Sequence, residues 1–209
     1  MIEYIIGRNS ASLRADRFLL KATTAPSSLI YKAFRKKDVK INGKWIKGPG
    51  IDFFDTVKEI VPTDIPLTSF SILFARYKGA LASQVKAAKA LASVTDSSRI
   101  LISEGCTHHR SCGDIGTVKL PAAIRRFSGK NPLFSFTQGG DFPTDLSAYD
   151  LVIHCGGCML NQPEMTARMA RCAAAGIPMV NYGVAIAHMH GILRRSLAVF
   201  PSALAELDR

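Results

Sequence analysis

Two short apolar runs, each ending in a cysteine, constrain this chain more than anything else in it. Leu151-Val152-Ile153 is bounded by polar residues and reads as a buried strand, which hands the chain to His154-Cys155-Gly156-Gly157-Cys158. Residues 99–103 read the same way and lead into Glu104-Gly105-Cys106-Thr107-His108-His109. If the two strands are parallel neighbours, Cys106 and Cys155 leave the same edge and meet in the crevice where open α/β sheets hold their ligands. Cys158 then follows across two glycines. Gly156 and Gly157 let the backbone turn sharply and bring its amides close to a sulfur-rich anion.

The surrounding pattern agrees with such a sheet. From Arg99 onward, apolar strands alternate with helical stretches, so the expected fold class is α/β, a mostly parallel sheet with helices on its faces. Residues 81–94 hold strong helix formers without a breaker. A second helix is framed by Asn161 as its cap, Glu164 three residues on, Pro163 in the first turn and Gly176 at the end. Met165, Met169 and Cys172 share one face of it, which favours Cys172 as a buried thiol over a ligand. His188 and His190 fall in a helix near the C-terminus and read as structural.

With 47% hydrophobic residues in 209, the chain can bury a real core and has room for a small domain beside a medium one. No apolar run reaches the roughly 18 residues of a membrane span, and residues 1–10 lack a signal-peptide pattern. A cytoplasmic chain with no membrane partner is therefore expected. Five cysteines in a reducing compartment are ligands or buried thiols before they are disulfides. The net charge of +11 favours polyanionic partners, nucleic acid first.

Much of that charge sits in residues 1–65, expected to form a small α+β domain. Residues 12–20 have helical spacing. Pro26-Ser27-Ser28 starts a second helix, whose cationic end at Arg35-Lys36-Lys37 suits the helix dipole. Residues 39–46 alternate about Asn42-Gly43, a strong hairpin signal, and a last strand is expected over 56–61. The blocks Leu13-Arg14-Ala15-Asp16-Arg17-Phe18-Leu19, residues 26–39, Ile41-Asn42-Gly43-Lys44 and Asp55-Thr56-Val57 resemble the alpha-L RNA-binding domain, the S-four domain that precedes RluC-type pseudouridine synthases. The resemblance implies a structured RNA partner, ribosomal or transfer RNA. Arg14, Arg17, Lys32, Arg35, Lys36, Lys37 and Lys40 would neutralise its phosphates without reading sequence. No synthase domain is expected within these residues.

Residues 66–209 form the second expected domain. Leu67 to Gly79, Glu104 to His109, Asp114-Ile115-Gly116, Asp141-Phe142-Pro143, residues 149–160 and residues 181–187 resemble, in order, the C-terminal cluster-binding domain of HydF, the maturation factor of FeFe-hydrogenases. That resemblance implies that Cys106, Cys155 and Cys158 ligate a 4Fe-4S cluster, with His108 and His154 the candidates for an exchangeable fourth position. Cys112 is open to three roles: loop residue, redox-sensitive neighbour or fourth ligand. A Cys3His zinc site from Cys106, His108, Cys155 and Cys158 is the alternative, since the spacing also suits tetrahedral coordination. The family usually carries a GTPase domain and a dimerisation domain ahead of this one, and the RNA-binding domain is expected to stand in their place. Gly43-Lys44 is followed by Trp45, so no phosphate loop is present. The chain thus reads as a non-catalytic RNA-binding protein with a cluster scaffold or carrier domain. A hydrogenase-type client and self-association through residues 67–209 are its implied partnerships. In the alternative, the second domain is a structural zinc or redox-sensing appendage.

Overall fold

A computed structural model describes residues 19–20, 23, 25–36, 40–41, 44–45, 61–78, 80–105 and 115–208. The chain divides into two compact units, residues 1–62 and 63–209. In the first, the helix expected after Pro26 is present as α1, Ser27–Lys36, with Leu29, Tyr31 and Lys32 exposed and Ile30 buried. Strands β1, Lys40–Ile41, and β2, Lys44–Trp45, pair antiparallel on either side of Asn42-Gly43 in the sequence, with Lys40 opposite Trp45. The strand expected over 56–61 falls outside the described residues, apart from a bend at Val61.

The second unit is built on a four-stranded sheet. Its strands are β3, Arg99–Glu104, β4, Leu133–Gln138, β5, Leu151–His154, and β6, Met179–Asn181. They are all parallel in the order β4-β3-β5-β6, as the alternating strand and helix pattern predicts. From β3 the chain steps outward to β4, then returns across the sheet to β5. The direction of winding therefore reverses between β3 and β5, and the carboxyl ends of those two strands flank the switch-point crevice.

Helices cover both faces. α2, Phe70–Tyr77, is capped by the Ser69 hydroxyl accepting from the Ile72 amide. α3, Leu81–Ala88, runs into a 3-10 turn, Lys89–Ser93, so the apolar stretch expected as one helix tightens before Val94 ends it. A π-helical turn, Ile115–Lys119, leads into α4, Leu120–Ser128, which Gly129 closes at φ 67°. α5, Gln162–Ala174, has the expected frame: the Asn161 side chain accepts from the Glu164 amide, Pro163 lies in the first turn, and Gly176 follows the cap at φ 70°. α6, Tyr182–Met189, α7, Leu193–Ser196, and α8, Pro201–Asp208, complete the unit.

Strand alternation divides the core. Leu101, Val152 and Met179 pack with Met165 and Cys172 of α5 and with Phe142 and Leu146 of the β4–β5 connection. Ile100, Ile102, Leu151, Ile153 and Val180 are buried on the opposite side, where α3 and α6 lie against β5 and β6. Among the described residues, no helix is long and apolar enough to cross a membrane.

Candidate functional site

The carboxyl ends of β3 and β5 bring a cysteine, several glycines and two buried cations together. Ser103 and His154 are register partners, and the Cys155 amide donates to the Ser103 carbonyl at 2.9 Å, so Cys155 is the first residue beyond the sheet. Its half-buried Sγ accepts from the Gly105 amide at 3.1 Å and the Gly157 amide at 3.4 Å. Two amides aimed at one sulfur set fixed dipoles around it in place of water. Gly105 is the residue before Cys106 in the sequence.

At two of the three glycines nothing larger fits. A Cβ on Gly105 would sit 2.3 Å from Leu160 Cδ1 and 3.2 Å from His154 Cε1. Gly157 has φ 61°, in the left-handed region, and a Cβ on it would meet Met165 Sδ at 2.7 Å. A Cβ on Gly156 would only touch Ser71 Oγ, at 3.4 Å. The sharp turn expected of the Gly-Gly pair is therefore carried by Gly157, while Gly156 has room for a Cβ beside Ser71 of α2. Cys158, beyond the turn, is exposed.

Two cations sit beneath this loop. Lys78, at the end of α2, donates to the carbonyls of Gly157 and Leu160. Arg168 of α5 is 1% exposed and donates from each of its three nitrogens, to Glu164 Oε1 at 2.7 Å, to His154 Nε2 at 3.0 Å and to the Gly139 carbonyl at 2.8 Å. Its guanidinium also lies 5.0 Å from the centre of the Phe142 ring. The hydrogen bond from Arg168, and then its charge, hold the Glu164 carboxyl below its ordinary range.

Those contacts define His154. Arginine cannot accept a hydrogen bond, so Nε2 is the acceptor, and Nδ1 must carry the proton it gives to the Cys155 carbonyl at 2.7 Å. Burial holds the imidazole neutral, its pKa pushed down to about 4, with Arg168 and Lys78 adding to the effect and the Cys155 carbonyl and Glu164 opposing it. Both ring nitrogens are engaged, so ligation by His154 would require giving up one of these partners. Its position is that of a strut joining β5 to α5.

The far side of the crevice is polar. The Tyr182 hydroxyl approaches Glu104 Oε1 at 3.4 Å, and a Cβ on Gly116 would collide with both groups. Asn181, 3% exposed at the end of β6, caps α6 through the Val184 amide and donates to the Ser71 carbonyl at 2.7 Å. The Gly183 amide donates to Ser71 Oγ at 3.1 Å.

Of the residues singled out by sequence, Cys155, Cys158 and His154 thus fall at this crevice. Cys106, His108 and Cys112 lie outside the described residues, as do Arg14, Arg17 and Lys37. Arg35 and Lys36 fall on α1 and Lys40 on β1, while Lys32 is an exposed residue of α1. Among the described residues, no three His, Cys, Asp or Glu side chains gather as a metal-binding group. Cys172 is 1% exposed in the α5 core, and burial pushes its thiol up to about 11, which suits a packing residue. His188 packs edge-on to Phe127 at 5.6 Å, and burial lowers its pKa.

Sequence reasoning passed over Lys78, Arg168, Gly105 and Ser71. For Arg168 a signal existed: it stands three residues after Met165 and four after Glu164, a charged residue on an apolar helix face with an acidic partner one turn back. Lys78 had none, because a lysine at a helix end reads as a dipole complement.

The fold and the site together are those of a parallel α/β unit whose switch-point crevice carries a cysteine turn hydrogen-bonded by backbone amides. The family model for the hydrogen maturase F tetramerization domain matches residues 82–199, more than half of the chain, and the chain belongs to that family. A second model, the hydrogen maturase F dimerization domain, matches residues 51–79. No curated protein matches the chain. The second match runs across residue 65, where the sequence reading divides its two domains, and it includes the Leu67 to Gly79 block. Neither match is to an RNA-binding domain.

Proposed function

We propose that the chain is an oligomeric scaffold or carrier in hydrogenase maturation, holding a 4Fe-4S cluster at the β3–β5 crevice through Cys106, Cys155 and Cys158. The observation that carries this reading is the Cys155 sulfur taking two backbone amides inside a glycine-lined turn. Hydrogen bonds of this kind to cluster sulfurs, with a nearby positive charge, suit an anionic cubane. Three thiolates leave one iron corner open to an exchangeable ligand, so a second metal fragment or small molecule could be received there. His108 is the better fourth ligand, since His154 is occupied on both nitrogens. The family names support homo-oligomerisation and a role toward a hydrogenase-type client.

The experiment is anaerobic reconstitution with iron and sulfide, followed by absorption and EPR spectroscopy. Cys106→Ala, Cys155→Ala and Cys158→Ala should each abolish the cluster signal, and His108→Ala should keep it with an altered spectrum. Stoichiometric zinc in the purified chain, with no cluster absorption after reconstitution, would overturn the assignment in favour of a Cys3His zinc site.

A second activity, binding of structured RNA by the basic N-terminal unit, is supported by the net charge of +11 and by α1, which carries Lys32 exposed and ends in Arg35 and Lys36. The residues assigned to it are Arg14, Arg17, Lys32, Arg35, Lys36, Lys37 and Lys40. An RNA shift assay at two salt concentrations tests it, and affinity that does not fall with salt counts against it.

A further inference from the structure

Lys78 closes α2 and is 6% exposed. Its ammonium donates to the carbonyls of Gly157 and Leu160, the latter at 2.7 Å, and stands 5.7 Å from the centre of the Phe74 ring. Lys78 is not a member of the ion pairs Lys130 with Asp96, Arg168 with Glu164 and Arg194 with Asp208 seen among the described residues. Keeping a buried ammonium on carbonyls, with no carboxylate partner among the described residues, is unfavourable, since its lost hydration is only partly replaced by carbonyl dipoles. The fold retains it nonetheless, directly under the turn that joins Cys155 to Cys158.

One carbonyl it grips, that of Gly157, belongs to that turn, and the other, that of Leu160, lies two residues past Cys158. The Gly157 carbonyl also accepts from the Leu160 amide at 3.1 Å, so the ammonium completes a closed loop whose first residues direct the Cys155 sulfur. We propose that Lys78 is a positioning residue for the thiolate site: it clamps the Cys155–Cys158 turn through two carbonyls and supplies the positive counter-charge for the anion those cysteines hold. The counter-charge half rests on the cluster reading above; the clamp half does not. In a poorly solvated site, a fixed positive charge favours the more negative, reduced state of a bound cluster.

The test compares the full chain with Lys78→Met, which keeps the length and loses the charge, and with Lys78→Arg, which keeps the charge. In metal-free protein, amide hydrogen exchange over residues 156–160 should be about tenfold faster in Lys78→Met, with β5 unaffected. In anaerobically reconstituted protein, the cluster's reduction potential should move to more negative values in Lys78→Met and stay near wild type in Lys78→Arg. Unchanged loop exchange overturns the clamp; an unchanged potential, or an equal shift in both variants, overturns the counter-charge. Should wild-type protein take up no cluster, the cluster reading and the counter-charge fall together, and exchange still decides the clamp. Lys78→Gln, which retains an amide donor, replaces Lys78→Met if the latter does not fold, with the same expected signs.

Discussion

Arg168 shows how much of the site is decided by single side chains. Replacing it with Met would take the donor from the buried His154 Nε2 and from the half-buried Gly139 carbonyl. The expected loss is about 2–4 kcal/mol of stability, read from chemical denaturation, because each orphaned acceptor forfeits its hydration. Gly105→Ala tests the other constraint. The new methyl must displace Leu160, which a Cβ would approach to 2.3 Å, so about 1–3 kcal/mol should be lost, and Leu160→Ala in the same chain should restore part of it. His154 adds a pH dependence. Its folded pKa of about 4 lies below the ordinary value of 6.5, so the unfolded chain binds the extra proton. The neutral imidazole's contribution is complete above pH 6.5 and is lost as pH falls toward 4, by up to about 1.4 kcal/mol per pH unit. Metal-free His154→Gln should have a flatter stability profile across that window, and an equal slope in both proteins would remove His154 as the cause.

At the scale of elements, α2 has two faces with different work. Ser71 and Lys78 hold α6 and the cysteine turn, whereas Phe70, Leu73 and Tyr77 are 83%, 42% and 74% exposed at helical spacing. The outer stripe lies within the residues matched by the dimerization model, which makes it the first place to look for self-association. Phe70→Glu combined with Tyr77→Glu should lower the sedimenting mass at tens of micromolar while leaving the circular dichroism spectrum unchanged. Persistence of the same oligomer would direct attention to β4, an edge strand with Leu133 57% and Phe136 45% exposed. The frame of α5 was readable in advance because its signals are local: the Asn161 cap, Pro163 and Gly176 act within a turn of themselves. The extent of α3 was not, since the shift to a 3-10 turn after Ala88 is settled by packing around Leu91, which is completely buried.

For the whole molecule, charge is the quantity that travels furthest. Exchanging Arg35, Lys36 and Lys37 for Ala should weaken RNA binding and reduce the salt slope by roughly one for each lost phosphate contact. An unaltered slope in a filter-binding titration would separate the positive charge from any RNA role. The cluster experiment belongs to the second unit and can be read independently, because no cysteine of the chain lies in residues 1–62.

The sequence by itself determined the parallel α/β class, the delivery of Cys155 from the end of a buried strand, the glycine turn before Cys158 and the burial of Cys172. Each follows from periodicity or spacing, which act over a few residues and survive any choice of topology. The tertiary structure alone decided which strands are neighbours, and with that the placing of Gly105 against the Cys155 sulfur across 50 residues of sequence. It also decided that His154 would be a buried, doubly hydrogen-bonded strut and that Lys78 would reach the turn from 79 residues away. Such contacts leave no local signature, because a lysine or histidine has the same propensities whether its polar end meets water or a buried carbonyl. Only the packing of α2 and α5 around β5 removes the water, and the partner is chosen at that point.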